Sequence, residues 1–238
     1  MEEGIAQMLA ASRLNVPGCV GCGSLLGMKI ALAAMESRKP VFVVSESVYE
    51  TPVPFHVSHD PAAAASAIAC AMPENIVIAY ANDTITSASL ASLNIAMRKN
   101  AGFIYICCNE SVSYGRVADA LGGASYLATA SVAFPEDFIA KLGKAANVNG
   151  FRFIELHSPC PEKWAFDTSN TIEVARLAFE TGFWQIFEIE NRRLLLTKRP
   201  MRLEPVARYL ESFKSEPADG LDEKIQQDWK MLNQGRLL

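Results

Sequence analysis

The sequence predicts an α/β fold with a mainly parallel sheet covered by helices on both faces. Short strand-like runs alternate with helix-like runs along most of the 238 residues, as expected when helices connect parallel strands. The strand-like runs are continuously apolar, which is typical of strands that helices bury on both sides. Half of the residues are hydrophobic, which is enough for a large core and excludes general disorder.

The individual elements follow in order along the first two thirds of the chain. Apolar runs predict strands over 40–44, 75–80, 103–108 and 151–156, and helices are predicted over 60–72 and 84–99. Ligands of such sheets bind beyond the carboxyl ends of the strands. The candidate site residues therefore lie in the turns 81–86, 109–115 and 157–164.

A helix and a hairpin are expected next. Ser169 and Asn170 can cap a helix over 171–181, and Gly182 ends it. Two further strands are predicted over 183–189 and 193–197, and Asn191-Arg192 between them indicates a hairpin.

The composition changes after Pro200. Charged helices are predicted over 204–213 and 221–232, joined by a loop at 215–220. We therefore divide the chain into an α/β domain over 1–199 and a charged helical tail over 200–238, which looks like an arm for a partner.

The charge balance argues against some classes of partner. The chain has 22 basic and 26 acidic residues, so no global attraction to nucleic acid or a membrane surface is expected. Its apolar runs are too short to span a bilayer, and its acidic start, Met-Glu-Glu-Gly, does not resemble a signal peptide. We expect a protein of the reducing cytoplasm.

Three of the six cysteines are candidate ligands. Cys19 and Cys22 lie in the glycine-rich run PGCVGCG, where two thiolates can share a metal or cluster; the alternative is two small residues buried beside a turn. Cys160 lies between two prolines that hold it in a rigid turn and pre-order a ligand, although this pattern taken alone favours a packed loop thiol. Cys70, Cys107 and Cys108 are expected in the core.

Oxygen ligands follow two of the predicted strands. Asp83 and Asn109 could bind Mg²⁺ together with a backbone carbonyl, and phosphates would fill the remaining positions. The alternative is that Asn82-Asp83 only caps the following helix. His56 and His59 are expected in a loop, where they could touch substrate. The sequence has no G-x-S-x-G elbow and no phosphate-binding glycine-rich loop.

Taken together, these segments resemble the β subunits of the 2-oxoacid:ferredoxin oxidoreductases, most closely the pyruvate enzyme. The likeness is carried by PGCVGCG at 17–23, SPCP at 158–161, Trp164, TIEVARLAFETGFW at 171–184 and FEIEN at 187–191. It spans essentially the whole chain and is most specific in the C-terminal half.

The resemblance implies the thiamine-diphosphate-binding α/β fold and two cofactor sites. Asp83, Asn109 and the Ser111 carbonyl would hold Mg²⁺ at the diphosphate of the cofactor, flanked by Asn82 and Thr84. A [4Fe–4S] cluster would be bound by Cys19, Cys22 and Cys160.

The chain also departs from the family's pattern. Asn82 and Thr84 replace two glycines beside the aspartate, which crowds a turn that approaches the diphosphate. The fourth cluster cysteine maps near Ser45, and serine is a poor iron–sulfur ligand. The family's Asn-Thr-Gly segment is eroded to 112–115.

The activity implied is oxidative decarboxylation of a 2-oxoacid, for which pyruvate is expected, to acyl-CoA and CO2, with electrons passing to ferredoxin. In this family the α subunit supplies the glutamate that activates thiamine, so the chain alone is expected to be inactive. Two alternatives remain: a catalytically degenerate structural subunit of the complex, or a thiamine-dependent decarboxylase without electron transfer.

Overall fold

The computed structural model describes residues 19–45 and 55–235, with the backbone alone for 55–57. Within these residues the chain forms an eight-stranded sheet of order β2-β1-β3-β4-β6-β5-β7-β8. The strands are β1 (Val41–Val44), β2 (Phe55–Val57), β3 (Val77–Asn82), β4 (Phe103–Asn109), β5 (Tyr126–Ser131), β6 (Arg152–His157), β7 (Phe187–Glu190) and β8 (Arg193–Leu196).

The first six strands are mutually parallel. At one edge of the sheet, β7 pairs antiparallel with β5, and β8 pairs antiparallel with β7. The predicted α/β class with a mainly parallel sheet is therefore confirmed. The predicted hairpin is also confirmed: Asn191 and Arg192 join β7 to β8 with φ angles of 51° and 62°. Positive φ at both central residues is the geometry of the two-residue hairpin turn.

Helices cover both faces of the sheet. They are α1 (Gly23–Met35), α2 (Pro61–Ala71), α3 (Asp83–Ala88), α4 (Leu90–Arg98), α5 (Pro135–Ala145), α6 (Pro161–Trp164), α7 (Thr171–Glu180), α8 (Ala207–Leu210) and α9 (Leu221–Asn233). Short 3₁₀ turns lie at Glu36–Arg38, Val117–Ala120, Thr168–Asn170 and Glu211–Phe213.

The strand residues alternate between two hydrophobic clusters, one on each face. Val41 and Val43 belong to the cluster that includes residues of α2, α4, α7, α8 and α9, whereas Phe42 and Val44 belong to the cluster that includes α1 and α5. Both faces of a strand are thus buried, which explains why the strands read as continuous apolar runs.

Several predicted elements differ from the observed ones. The helix expected over 84–99 is divided at Ser89, where the Ser89 N–H bonds back to Ile85 and Thr86 and closes α3. The strand expected from 183 begins only at Phe187, because the preceding backbone bonds outside the ladder, as the Trp184 N–H does to the Ala178 carbonyl at 2.8 Å.

Smaller differences occur at helix boundaries. Asn170 occupies the N-cap position of α7 but makes no side-chain capping bond. The helix predicted over 204–213 is reduced to α8 and a 3₁₀ turn. The sequence analysis did not predict β5, α1 or α5.

Two of the three cysteines that were predicted to lie in the core are buried. Cys107 and Cys108 are buried in β4, as expected. The prediction for Cys70 was wrong, because this residue is exposed on α2. The helix buries Ala62, Ala65 and Ala69 at helical spacing, and Cys70 lies one step around the helix from that face.

The C-terminal helices pack onto the α/β core. Ile225, Trp229 and Leu232 of α9 are buried in one of the two clusters, and Trp229 Nε1 donates to the Gly182 carbonyl at 3.2 Å. Gly182 has φ 74°, and a Cβ there would lie 2.4 Å from Trp229 Nε1. A division of the chain between residues 199 and 200 stays a prediction. No helix in the described part of the chain is long and apolar enough to cross a membrane.

Candidate functional site

Three neighbouring parallel strands end side by side and bring together the turns singled out in the sequence. Asn82 at the end of β3 is paired with Cys108 of β4, and Asn109 at the end of β4 is paired with His157 of β6. The residues that follow these strands therefore share one edge of the sheet, where ligands of parallel sheets bind.

Asn82 caps the helix that follows β3. Its Oδ1 accepts a hydrogen bond from the Ile85 N–H at 2.9 Å. Its φ and ψ angles are −75° and 171°, an extended conformation that does not require glycine. The capping role considered for this turn is therefore present. Thr84, the second replacement for a glycine, is exposed on the first turn of α3.

Two carboxylates, Asp83 and Glu110, directly follow the neighbouring strands β3 and β4. Oδ1 of Asp83 is buried and has no hydrogen-bond partner among the described residues. Burial, and after it the negative charge of Asp83, raise the pKa of Glu110 to about 7, whereas Lys163 opposes the shift. A buried, unpartnered carboxylate oxygen beside a second carboxyl group is suited to a hard divalent cation.

Asn109 is held in place by a buried glutamate. Its Nδ2 donates to Oε1 of Glu155 at 2.7 Å, and its Oδ1 accepts from the Ser111 N–H at 3.0 Å. The Glu155 carboxyl also accepts from the N–H groups of Val117 and Ala118 at 3.1 and 2.7 Å. Burial raises the pKa of Glu155 to about 7, although these hydrogen bonds act in the opposite direction and lower it. The network fixes the orientation of the Asn109 amide.

The candidate ligand cysteines meet at a second location on the same edge. Cys22 caps α1, with its Sγ accepting from Leu25 N–H at 3.3 Å, and Cys160 caps α6, with its Sγ accepting from Lys163 N–H at 3.4 Å. Backbone N–H groups at a helix N-terminus stabilise thiolates. Both sulfurs thus have surroundings that favour metal ligation.

Cys19 Sγ donates a hydrogen bond to Glu162 Oε2 at 2.6 Å, which places Cys19 beside the segment that carries Cys160. The pKa of Cys19 is raised to about 11, chiefly by its hydrogen bond to Glu162 and also by the charges of Cys22 and Cys160. Burial raises the pKa of Cys22, and Glu110 and Cys160 add to it. We call Cys19, Cys22 and Cys160 the cysteine corner. These effects disfavour thiolates at Cys19 and Cys22 unless a cation is bound.

Two glycines allow the turn of Cys19 and Cys22 to approach the loop after β6. Gly21 has φ 71°, and a Cβ on it would lie 2.1 Å from the Thr168 carbonyl oxygen. A Cβ on Gly23 would lie 2.7 Å from the Pro159 carbonyl oxygen. Close backbone contact here is what brings Cys160 to the two N-terminal cysteines, and only glycine permits it.

The geometry differs from that of a single-ion site. Within residues 19–45 and 55–235, no three His, Cys, Asp or Glu side chains stand close enough together to hold one metal ion. A four-iron cluster makes a different demand, since each thiolate binds a separate iron and the ligands are spread around the cluster. The three cysteines and their N–H donors fit part of that demand.

The other predicted site residues are distributed as follows. Ser45 is buried after β1, and its Oγ has no hydrogen-bond partner among the described residues. His59 is exposed before α2. The prediction of a loop at His56 was wrong, because this residue lies in β2; its side chain is outside the described part of the structure.

Three glutamates at this edge were missed by the sequence analysis: Glu110, Glu155 and Glu162. Glu155 carries a visible signal, because it is a single carboxylate inside an apolar strand run. The other two have no distinctive sequence context, and their roles depend on contacts between distant segments.

Comparison with known proteins identifies the family, although no family model matches. The chain is 34% identical to pyruvate synthase subunit PorB of Methanothermobacter marburgensis over 249 residues, covering 83% of this chain and 86% of that protein. It is 39% identical to ketoisovalerate oxidoreductase subunit VorB of Pyrococcus horikoshii over 115 residues, or 45% of this chain and 37% of VorB.

A solved structure supports the fold. It is a 2-oxoglutarate:ferredoxin oxidoreductase from Magnetococcus marinus with 2-oxoglutarate, coenzyme A and succinyl-CoA bound. The match has a TM-score of 0.54 at 17% identity and covers 91% of this chain and 93% of that one. At this identity the likeness concerns the fold alone. The sequence relationship to PorB shows that the chain belongs to the family of β subunits of the 2-oxoacid:ferredoxin oxidoreductases. These enzymes are oxidoreductase complexes of several subunits.

Proposed function

We propose that the chain is the subunit of a pyruvate:ferredoxin oxidoreductase that holds the diphosphate end of thiamine diphosphate through Mg²⁺ and also binds an iron–sulfur cluster. Two relatives that match over 83% of this chain are named pyruvate synthase subunit PorB, which favours pyruvate as the 2-oxoacid. The complex would release CO2 from the 2-oxoacid, transfer the acyl group to coenzyme A and pass two electrons singly to ferredoxin.

The observation that carries this proposal is the buried Oδ1 of Asp83, which has no hydrogen-bond partner among the described residues and lies near Glu110. A bound cation would satisfy this oxygen and offset the repulsion between the two carboxylates. In the proposal, Asp83 binds Mg²⁺ together with the Asn109 side chain and the Ser111 carbonyl, and Asn82 and Thr84 flank the diphosphate.

The residues of this chain position the cofactor rather than perform the bond-breaking chemistry. Thiamine diphosphate, when bound, supplies the carbon nucleophile and the electron sink for loss of CO2. Glu155 keeps the Asn109 amide in one orientation through the 2.7 Å hydrogen bond. Burial of both residues excludes water from this side of the cation site.

Iron–sulfur binding is supported by the cysteine corner. Cys19, Cys22 and Cys160 would hold a [4Fe–4S] cluster that carries single electrons. Cys19 is exposed and Val20 beside it is 77% exposed, so a cluster at this point would lie near the surface, within reach of an electron acceptor such as ferredoxin. Because such clusters need reduced thiols, the proposal includes a cytoplasmic location.

Partner subunits complete the proposed enzyme. An α subunit would supply the glutamate that activates thiamine, and other subunits would carry electrons onward, as the family resemblance implies. The isolated chain would bind cofactors without turning over substrate. No nucleic-acid or membrane partner forms part of the proposal.

A second candidate function is a structural subunit that has lost catalysis. Two observations favour it: the Asn82 side chain already satisfies the Ile85 N–H, and both ends of the Asn109 amide are engaged within the protein. A decarboxylase without electron transfer is disfavoured, because such an enzyme has no use for the cysteine corner.

Cofactor analysis of the complex purified with this chain tests the proposal. The expected result is bound thiamine together with iron, sulfide and the visible absorption of an iron–sulfur cluster. Replacement of Asp83 by Ala should remove thiamine but leave the iron, whereas Asp219→Ala, in an exposed loop, should change neither. A complex that contains neither thiamine nor cluster iron would overturn the proposal and support the structural subunit.

A further inference from the structure

We propose that the carboxylate of Glu162 is the fourth ligand of the iron–sulfur cluster, completing the set formed by the cysteine corner. This inference rests on the proposed function, since it concerns the same cluster. A [4Fe–4S] cluster ordinarily takes four protein ligands, and the cysteine corner provides three. The described residues around the corner that carry an oxygen donor are therefore candidates for the fourth ligand.

Ser45 is badly placed for this role. Its Oγ is buried with no hydrogen-bond partner among the described residues, so no described cysteine sulfur lies within hydrogen-bonding distance of it. Along β1, Phe42 and Val44 belong to the cluster that includes α1, and Val43 belongs to the opposite one. Continuing this alternation by one residue directs Ser45 away from α1, which begins at the Cys22 cap.

Glu162 is placed where the missing ligand is needed. It lies two residues after Cys160, in the first turn of α6, and its Oε2 accepts a hydrogen bond from Cys19 Sγ at 2.6 Å. This contact joins the two ends of the corner across 143 residues of sequence. The neighbouring Lys163 ammonium lies over the Trp164 ring, 5.6 Å from its centroid, instead of neutralising this carboxylate.

The chemistry of the contact suits ligand exchange. In the cluster-free protein, one proton is shared between the Cys19 sulfur and the Glu162 oxygen. A preformed [4Fe–4S] cluster carried by four small-molecule thiolates would move to the corner by ligand exchange. The departing thiolates would take up the protons of the three cysteine thiols and one proton from solvent, and Cys19 would bind one iron and Glu162 another. No electron is gained or lost in this exchange. A carboxylate is a harder ligand than a thiolate, so the iron at Glu162 would be held less firmly than the other three.

The experiment uses the full chain, loaded anaerobically with a preformed [4Fe–4S] cluster that four small-molecule thiolates hold. Iron and sulfide per chain, the visible spectrum and the electron paramagnetic resonance spectrum are measured for the wild type, Glu162→Gln and Glu162→Cys. The matched control is Glu173→Gln, an exposed glutamate on α7. Circular dichroism of each cluster-free protein establishes that it is folded.

The expected pattern is specific to cluster ligation. The wild type and Glu173→Gln should hold four irons, Glu162→Gln should lose one iron and give a three-iron signal after mild oxidation, and Glu162→Cys should hold four irons that resist oxidation. A four-iron cluster in Glu162→Gln that matches the wild type would overturn the role of Glu162 while leaving the cluster proposal intact. Absence of any cluster from the folded wild type and from Glu162→Cys would overturn both.

Discussion

Nδ2 of Asn109 donates a hydrogen bond to Oε1 of Glu155 at 2.7 Å, linking the end of β4 to the interior of β6. The same carboxyl group receives the N–H groups of Val117 and Ala118, so three donors converge on one fully buried side chain. This cluster of hydrogen bonds joins a proposed cation ligand to the segment that follows it.

Replacement of Glu155 by Gln should disrupt this cluster. In the wild type, both carboxyl oxygens of Glu155 accept hydrogen bonds. The NH2 group of the new Gln side chain cannot accept one, so a buried N–H donor would lose its partner. We expect a loss of about 1–3 kcal/mol in the free energy of unfolding, measured by urea denaturation. Glu223→Gln, an exposed change on α9, should leave the midpoint unchanged. Equal midpoints for the two variants would show that the three hydrogen bonds contribute little.

Asp83→Asn should have opposite effects on stability and on cation binding. Without cation, removal of the charge relieves repulsion with Glu110 and should raise the free energy of unfolding by about 1 kcal/mol. Added Mg²⁺ should raise the melting temperature of the wild type, because it binds the folded state, but not that of the variant. Asp219→Asn is the control. A variant that responds to Mg²⁺ like the wild type would remove Asp83 from the site.

His157 should make stability depend on pH. It is buried, stacks on Trp184 with 5.0 Å between ring centroids, and its Nδ1 has no hydrogen-bond partner in the described residues. Burial lowers its pKa from 6.5 to about 3, so the unfolded chain takes up a proton before the folded one does. The histidine's contribution is complete above about pH 6.5 and is lost as pH falls towards 3, by at most about 1.4 kcal/mol per pH unit.

The measurement for His157 is the difference between the wild type and His157→Phe in urea denaturation at several pH values. The difference is needed because the raised pKa values of Glu110 and Glu155 act in the opposite direction, favouring the folded state as pH falls from about 7. The wild type should lose stability relative to the variant below pH 6.5. Parallel profiles would mean that His157 has the same pKa in the folded and unfolded states.

Gly21→Ala should damage the cysteine corner. A methyl group at this position would meet the Thr168 carbonyl in a backbone with φ 71°. We expect a loss of about 1–3 kcal/mol in stability and less iron after reconstitution, because Cys19 and Cys22 would move from Cys160. Gly143→Ala, which has open space on α5, should instead stabilise by about 0.4–1 kcal/mol. Normal iron loading in Gly21→Ala would contradict the role given to this turn.

Much of the fold could be predicted because its strands are continuous apolar runs. The runs that became β1, β3, β4 and β6 were placed within two residues of their observed bounds. The segment YLATAS of β5 was missed because small and hydroxyl residues interrupt its apolar character. Thr129 illustrates the reason: its hydroxyl is buried and donates to the Gln185 carbonyl at 2.7 Å, a partner 56 residues away.

Less of the candidate site could be predicted, because its contacts join remote segments. Asp83 and Asn109 were recognised as oxygen donors at strand ends, but the Asn109 contact with Glu155 depends on β4 lying beside β6. Likewise, the sequence alone does not indicate that Glu162 lies against Cys19. The prediction that Cys70 is buried was wrong for a local reason. In an alanine-rich helix, the sequence does not show which face is buried.

The central claim is that this chain provides the cation and cofactor site of an active 2-oxoacid:ferredoxin oxidoreductase. Its most direct test is pyruvate-dependent reduction of ferredoxin, with coenzyme A present, by the complex assembled with the wild-type chain, with Asp83→Ala or with Asp219→Ala. We predict equal rates for the wild type and Asp219→Ala and loss of at least about 100-fold with Asp83→Ala. Full activity of the Asp83→Ala complex, or no activity in the wild-type complex with any 2-oxoacid, would contradict the claim.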